Sequence, residues 1–111
     1  MYMYAETWKF RPAWLELSRE ERKAWMDTLL AGIQQQLAAG VEVVGFVAND
    51  TDTPHSNGYD FLAVWKMPSK EIARRFEDFV EASGLHTYYE QVNIRGEVLG
   101  LEAVVASHLD P

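Results

Sequence analysis

One stretch decides the fold: the strand Tyr59-Asp-Phe-Leu-Ala-Val-Trp-Lys-Met67 and the helix that follows it. Apolar side chains occupy both odd and even positions of this strand, a pattern typical of a strand that is covered on both faces. Pro68 ends the strand, Ser69 is a good N-cap for a helix over residues 69–83, and Gly84 supplies the left-handed residue that ends this helix. The helix is predicted to bury one stripe, formed by Ile72, Phe76, Phe79 and Val80.

Three more strands and one long helix are predicted around this unit. Ser18-Arg-Glu-Glu21 is a capping box, in which the Ser hydroxyl and the Glu carboxylate satisfy backbone amides at the start of a helix that Gly40 closes. The polar segment 49–58 is rich in turn formers, so it is predicted to be an exposed loop between two antiparallel strands. The three strands are predicted over residues 2–10, 41–48 and 88–98.

The order of elements is therefore β-α-β-β-α-β, the pattern of a ferredoxin-like sandwich of the α+β class. Two helices would cover one face of a four-stranded antiparallel sheet, with the first strand between the third and the fourth. Because the second and third strands are apolar on both faces, the uncovered face predicts a homodimer, in which two sheets meet as a dimeric α/β barrel. We expect a single domain over residues 1–111. It would have a core over 1–98 and a tail over 99–111 that fits a short helix or a strand docked on a partner.

Four segments of the chain carry a resemblance to known proteins: Trp8-Lys-Phe-Arg-Pro-Ala-Trp14, Leu17-Ser-Arg-Glu-Glu-Arg22, Ala63-Val-Trp-Lys-Met-Pro68 and Tyr89-Glu-Gln-Val-Asn-Ile-Arg-Gly-Glu97. They resemble an uncharacterised bacterial domain family within the dimeric α/β-barrel superfamily. The resemblance implies the fold and a homodimer more than an activity, because one fold hosts many chemistries. The superfamily includes cofactor-free monooxygenases and haem-using branches, but no histidine here is placed as an axial haem ligand, so we expect no cofactor.

Composition limits the partners. Seventeen acidic and ten basic residues give a formal net charge of −7, which opposes binding to a nucleic-acid backbone. The chain has no cysteine, which excludes disulfides, thiolate metal sites and cysteine nucleophiles. No segment approaches the roughly 18 to 20 apolar residues of a membrane span, and the N-terminus lacks the layout of a signal peptide. We therefore expect a cytoplasmic protein that binds neither nucleic acid nor a membrane.

The best candidate site is a set of polar and aromatic residues on the first and last strands. If Val92 and Ile94 face the helices, the alternate residues of the last strand face the dimer barrel and lie beside the first strand; these residues are Gln91, Asn93 and Arg95. Arg95 would then hold an anionic or carbonyl group of a small apolar or aromatic ligand. Glu6 would act as a base if burial raises its pKa. The alternative is an ion pair between Glu6 and Arg95 that only satisfies a buried cleft. The predicted ligand-binding residues are Tyr4, Trp8, Asp60, Gln91, Asn93 and Arg95.

Other charged and titratable positions support weaker hypotheses. Asp60 and Lys66 share one parity of the central strand, and they either face the barrel or are solvated charges at the strand ends. His86 is a second candidate catalytic residue, as a proton shuttle at the cavity mouth, or else a loop histidine. His55 lies near two aspartates, but the spacing does not match a calcium-binding loop, so no metal site is predicted.

Three functions remain open on this sequence. The first is a homodimeric domain that binds a small molecule in a cavity between sheet and partner. The second is a cofactor-independent monooxygenase or isomerase that acts on an aromatic or quinone-like metabolite. The third is a structural or interaction dimer without a ligand, in which the aromatic residues only stabilise the dimer. Motifs for nucleotide hydrolysis, triad hydrolysis and zinc peptidase chemistry are not present.

Overall fold

A computed structural model of the chain describes residues 1–111. The predicted order of strands and long helices is confirmed, two short helices are added to it at residues 12–15 and 85–88, and the tail forms a helix at residues 101–109. No helix is both long and apolar enough to cross a membrane. The elements are β1 (Tyr2–Phe10), α1 (Pro12–Leu15), α2 (Arg19–Ala38), β2 (Glu42–Ala48), β3 (Phe61–Met67), α3 (Lys70–Ala82), α4 (Leu85–Tyr88), β4 (Tyr89–Glu97) and α5 (Leu101–Leu109).

The four strands form one antiparallel sheet in the order β2-β3-β1-β4. This order confirms the prediction that the first strand lies between the third and the fourth. Glu6 on β1 therefore lies between Ala63 on β3 and Asn93 on β4. A β-bulge between Val43 and Gly45, which the sequence pattern did not predict, shifts the register of the edge strand β2.

The two predicted helix starts form as expected. The Ser18 hydroxyl accepts a hydrogen bond from the amide of Glu21, and the Glu21 carboxylate accepts one from the amide of Ser18. The Ser69 hydroxyl accepts from the amide of Ile72 at the start of α3. Because α3 is strongly amphipathic, it packs its apolar side on the sheet. The resulting core consists of Tyr4, Val41, Ala63, Trp65, Met67, Ala73, Phe76 and Val80.

Helix α2 packs less closely than α3. None of its residues is fully buried, and it rests at its N-terminal end on an aromatic cluster. In this cluster the Trp14 ring contacts the rings of Trp25, Tyr88 and Tyr89, with centroids 5.4 to 5.6 Å apart. The short helices α1 and α4 carry two of these four rings, so they anchor one end of α2 and leave space beneath its middle turns.

The face of the sheet opposite the helices, which we call the open sheet face, is apolar and uncovered. Val92 and Ile94 lie on it with 56% and 76% of their surface exposed, so the prediction that they face the helices is wrong. Only 11 of 111 residues are buried in the single chain. The apolar residues of the open sheet face are Met3, Ala5, Val47, Leu62, Val64, Val92 and Ile94.

Candidate functional site

An apolar cavity of about 280 Å³ lies between the sheet and the helices α2 and α3. Of its fourteen lining residues twelve are hydrophobic, and the other two are Glu6 and Gln91. A cavity of this composition, mostly apolar with a few convergent polar groups, is typical of a small-molecule site. The hydrophobic lining consists of Trp8, Met26, Leu29, Leu30, Ile33, Phe46, Trp65, Phe76, Phe79, Val80, Leu85 and Tyr89.

The carboxylate of Glu6 lies in the wall of this cavity and is held on both oxygens. Oε1 accepts a hydrogen bond from the indole Nε1 of Trp65 at 3.0 Å, and Oε2 accepts one from Nε2 of Gln91. Oε1 of Gln91 lies 2.7 Å from Nε2 of His86, whose Nδ1 lies 3.5 Å from Oε1 of Glu81. A chain of hydrogen-bonding groups therefore connects the buried carboxylate to the exposed side of α3.

Glu6 is the one charged residue that is buried in the fold, with 7% of its surface exposed. This burial raises the pKa of its carboxyl group above the ordinary value of 4.5, while the hydrogen bonds from Trp65 and Gln91 offset part of the rise. An ionised carboxylate offers about four lone-pair sites, and two of them are used here. Glu6 can therefore accept a further hydrogen bond, or a proton, from a molecule in the apolar cavity.

A second group of polar side chains lies on the other side of Val80 and Gln91. Arg95 donates to Glu77 on α3, with Nε 2.8 Å from Oε2 and Nη2 3.3 Å from Oε1. The Tyr4 hydroxyl donates to Oε2 of Glu77 at 3.3 Å and accepts from Nδ2 of Asn93 at 3.0 Å. Arg95 lowers the pKa of Glu77, whereas burial and the neighbouring carboxylates raise the pKa of Tyr4. The guanidinium of Arg95 is thus neutralised within the chain.

The sequence-predicted site residues are brought together only in part, and on the opposite face from the one expected. Tyr4, Glu6, Trp8, Gln91, Asn93 and Arg95 share the face of the sheet that the helices cover. The alternative, an ion pair between Glu6 and Arg95, does not form, because Arg95 pairs with Glu77 instead.

Asp60 and His86 lie outside the apolar cavity. The Asp60 carboxylate accepts a hydrogen bond from the amide of Phe10 at 3.1 Å, where it ties the loop before β3 to the end of β1. His86 lies on α4 rather than in a loop, and it helps to form a polar pocket of about 320 Å³ beside the cavity. His55 lies in the exposed loop, and no group of three or more His, Asp or Glu side chains is arranged to hold a metal ion.

Sequence analysis missed three partners of the site. Glu77 lies next to Phe76 on α3, where the amphipathic pattern indicates only a solvated charge. The contact of His86 with Gln91 depends on the turn of α4, which has no sequence signal. The indole of Trp65 did carry a signal, because a buried Trp N–H needs an acceptor and Glu6 is the carboxylate on the adjacent strand.

The histidines do not fit the role of axial ligand to a haem in the apolar cavity. Nε2 of His86 faces Gln91 and its Nδ1 faces Glu81, so neither ring nitrogen points into the cavity. His55 and His108 lie in the exposed loop and on α5. We therefore assign no step to a haem group.

The fold and the site together define an α+β protein of the ferredoxin-like type, with one helix-covered face of the sheet that encloses a cavity. The chain belongs to a family of unknown function, DUF6616, whose model matches residues 1–110. The predicted resemblance to an uncharacterised domain family is thereby confirmed. No curated protein matches the chain.

Solved structures support the fold. A chlorite dismutase double mutant from Candidatus Nitrospira defluvii aligns with a TM-score of 0.71 at 13% identity, over 89% of this chain and 40% of that chain. The chain thus spans about 40% of the length of that enzyme. A dimeric protein of unknown function with a ferredoxin-like fold, from Bacteroides fragilis, aligns at 0.53 and 12% identity over 87% of this chain and 95% of that one. A protein from Arabidopsis thaliana aligns with a TM-score of 0.58 at 12% identity, over 91% of this chain and 98% of that chain.

Proposed function

We propose that this chain forms a homodimer and that each copy binds a small, neutral, apolar or aromatic molecule in the apolar cavity. The observation that carries the proposal is the cavity itself, about 280 Å³ with twelve hydrophobic lining residues and one buried carboxylate. Ligand sites in proteins typically measure 300–1,000 Å³, so the ligand is small, of the order of one or two rings. This location between sheet and helices replaces the site between two subunits that the sequence suggested.

The charges around the cavity select against anionic ligands. Glu6 is the charged group in the wall, and Arg95, the cation that was expected to hold an anion, is paired with Glu77. An anion that entered the cavity would lose its hydration and meet a like charge. A hydroxyl or N–H group on the ligand would instead donate to the free lone pairs of Glu6. Phenols, enols and aromatic N–H compounds are therefore the favoured class.

The homodimer is supported by the open sheet face. Its seven apolar residues are exposed or half-buried and adjoin one another across the four strands, and contiguous apolar patches of this kind mark interaction surfaces. Two copies related by a two-fold axis would bury the same patch on each other. The dimer would also supply burial that a single chain with 11 buried residues lacks.

A thermal-shift titration with three probes of the same ring system tests the ligand proposal. We expect 2-naphthol to stabilise the protein more than naphthalene, and 2-naphthoate to have no effect. A probe at about 100 times its dissociation constant adds roughly 2.7 kcal/mol of stability. Leu29→Trp fills the cavity and should abolish the shift, while Leu15→Trp, at an exposed position outside the cavity, should preserve it.

Two outcomes would overturn this proposal. One is a shift that survives Leu29→Trp, because the probe would then bind elsewhere. The other is a wild-type protein that none of a broad set of neutral aromatic probes stabilises. The second outcome, with a dimer shown by light scattering, favours the structural dimer without a ligand.

A second candidate function, proton-transfer catalysis, is favoured by the position of a buried carboxylate with a raised pKa against an apolar cavity. As a base, Glu6 would take a proton from an acidic carbon of the ligand and return it at another carbon, which is an isomerisation without net redox change. In a cofactor-independent oxygenation the resulting carbanion would react with O₂, so that one CH₂ group and O₂ give one carbonyl group and water.

Solvent deuterium separates this enzyme from a binding protein. A bound ketone, the keto tautomer of an enol of the favoured class, should exchange its acidic C–H protons in D₂O, as followed by NMR. Glu6→Gln should stop the exchange without loss of binding. Exchange that continues at the wild-type rate in Glu6→Gln would remove Glu6 as the base.

A further inference from the structure

We propose that α5 is an exchanged arm: in the homodimer, α5 of each copy packs into a trough on the open sheet face of the other copy. The proposal rests on the homodimer part of the proposed function. It assigns the tail a partner and a position, which neither the fold nor the family supplies.

The side chains of α5 form an apolar stripe that nothing in the single chain covers. Leu101 and Leu109 have 80% and 75% of their surface exposed, and Val104 and Val105 lie between them at helical spacing. The hydrogen bonds of this helix stay within residues 100–110. An isolated helix of nine residues is shorter than the roughly 12–15 that are marginally stable in water. The helix therefore needs a surface to pack on.

The exposure of every residue of α5 shows that this helix does not fold back on its own core, and the shape of the chain agrees. The radius of gyration is 16.0 Å, whereas a compact domain of this length would have about 13 Å. The longest dimension is 51 Å and the shortest 19 Å. This elongation fits a helix that projects from the core, and projection is the geometry of an arm that reaches a second molecule.

The trough has the chemistry and the space to receive such a helix. It measures about 480 Å³ and lies at the end of β1 and β4, beside the root of α5. A Cβ atom added at Gly96 would meet nothing within 4 Å, so a helix can approach the backbone closely there. The trough is lined by Met3, Ala5, Ile94, Arg95, Gly96, Glu97, Val98 and Leu99.

Several features favour a second copy as the occupant. The trough is part of the open sheet face, so the arm and the sheet contact would form one continuous interface. The connector between β4 and α5 has three residues, which span at most about 10 Å, so α5 stays within reach of a copy packed on that face. Because each chain carries both an arm and a trough, a two-fold axis lets each copy place its arm in the trough of the other.

A membrane is a poor alternative occupant. Helices that lie on membrane surfaces are rich in Lys and Arg on their polar face, whereas residues 99–111 contain neither and carry Glu102 and Asp110. With a net charge of −7 the chain would also be repelled by anionic lipids.

Removal of residues 100–111 tests the energetic part of the proposal. Sedimentation equilibrium of the full chain and of the truncated chain should give a dimer dissociation constant that is about tenfold or more higher after truncation, since several apolar side chains leave the interface. An unchanged constant, with the full chain still dimeric, overturns the arm and leaves the dimer standing. A full chain that is monomeric at every concentration overturns both.

Disulfide trapping tests the position, and the chain suits it because it has no native cysteine. Gly96→Cys combined with Val105→Cys should give covalent dimers on mild oxidation. Gly96→Cys combined with Ser107→Cys is the matched control, because Ser107 lies on the opposite side of α5 and should crosslink far less. Disulfides within a single chain, or equal crosslinking in the control, would overturn the exchange.

Discussion

Replacement of Glu6 by Gln should stabilise the protein at neutral pH, because Gln mimics the protonated carboxyl group. The carbonyl oxygen of the new side chain can accept from the Trp65 indole, and its amide can donate to a flipped Gln91 amide. The Gln91 amide then donates to Nε2 of His86, whose Nδ1–H can face Glu81. Each buried polar atom keeps a partner, while the cost of burying a charge is removed.

The pH dependence follows from the direction in which folding moves the pKa. Folding raises the pKa of Glu6 above 4.5, so the folded state binds more protons than the unfolded state between these two values. The contribution of Glu6 to the stability of the wild-type protein must therefore fall as pH rises through this window, and this loss is complete above the folded pKa of Glu6. A carboxyl pKa that folding raises by one pH unit costs about 1.4 kcal/mol of stability. Glu6→Gln lacks this loss, so its advantage over wild type should grow from pH 4 upward and then level off.

Urea unfolding followed by Trp fluorescence, at matched protein concentration from pH 4 to pH 8, measures this difference. The four Trp residues provide the signal. Glu16→Gln, at an exposed position, is the control and should run parallel to wild type at every pH. The reasoning is refuted if the curves of Glu6→Gln and wild type also run parallel, or if Glu6→Gln becomes the less stable protein as pH rises.

Three further substitutions test the site. Gly32→Ala places a Cβ atom in steric clash with the Phe79 ring, so the ring must shift and reshape the cavity; probe affinity in the thermal-shift assay should fall about tenfold or more. Trp65→Phe removes the indole donor from the buried carboxylate and should cost about 2–4 kcal/mol in urea unfolding. Arg95→Ala breaks only the partly exposed pair with Glu77; it should cost under about 1 kcal/mol and leave probe affinity unchanged.

Matched controls keep these tests specific. Gly45→Ala adds a Cβ atom that meets nothing within 4 Å, so it should leave probe affinity unchanged. A loss of affinity in Gly45→Ala equal to that in Gly32→Ala would point to general loosening of the fold. A loss of probe binding in Arg95→Ala would restore the guanidinium as a ligand contact.

The elements of the fold follow from local signals in the sequence. The capping box at Ser18, the N-cap at Ser69 and the left-handed Gly84 all form as predicted, because each satisfies backbone groups within a few residues. The short helices α1 and α4 had no comparable signal. They are stabilised by the aromatic cluster around Trp14, which unites residues distant in sequence.

The orientation of β4 could not be decided from hydrophobicity. Apolar residues of a strand usually face the helices that cover the sheet, and this rule predicted that Val92 and Ile94 face the helices. The rule fails here because the open sheet face is also apolar, so the pattern fits both orientations. Hydrogen-bond partners from other elements decide the orientation of β4. Arg95 bonds to Glu77 on α3, and Gln91 bonds to Glu6 on β1 and to His86 on α4.

One residue held the information that decides the orientation. Trp65 has apolar neighbours on both faces of β3, yet its indole N–H must have an acceptor once it is buried. β1 runs beside β3, and Glu6 is the one carboxylate that β1 carries. Glu6 and Trp65 must therefore lie on the same face of the sheet, which is the helix-covered face. Side chains across an antiparallel pair share a face, so β4 must place Gln91, Asn93 and Arg95 beside Glu6. The requirement of a buried donor for an acceptor thus fixes the location of the site where hydrophobic periodicity does not.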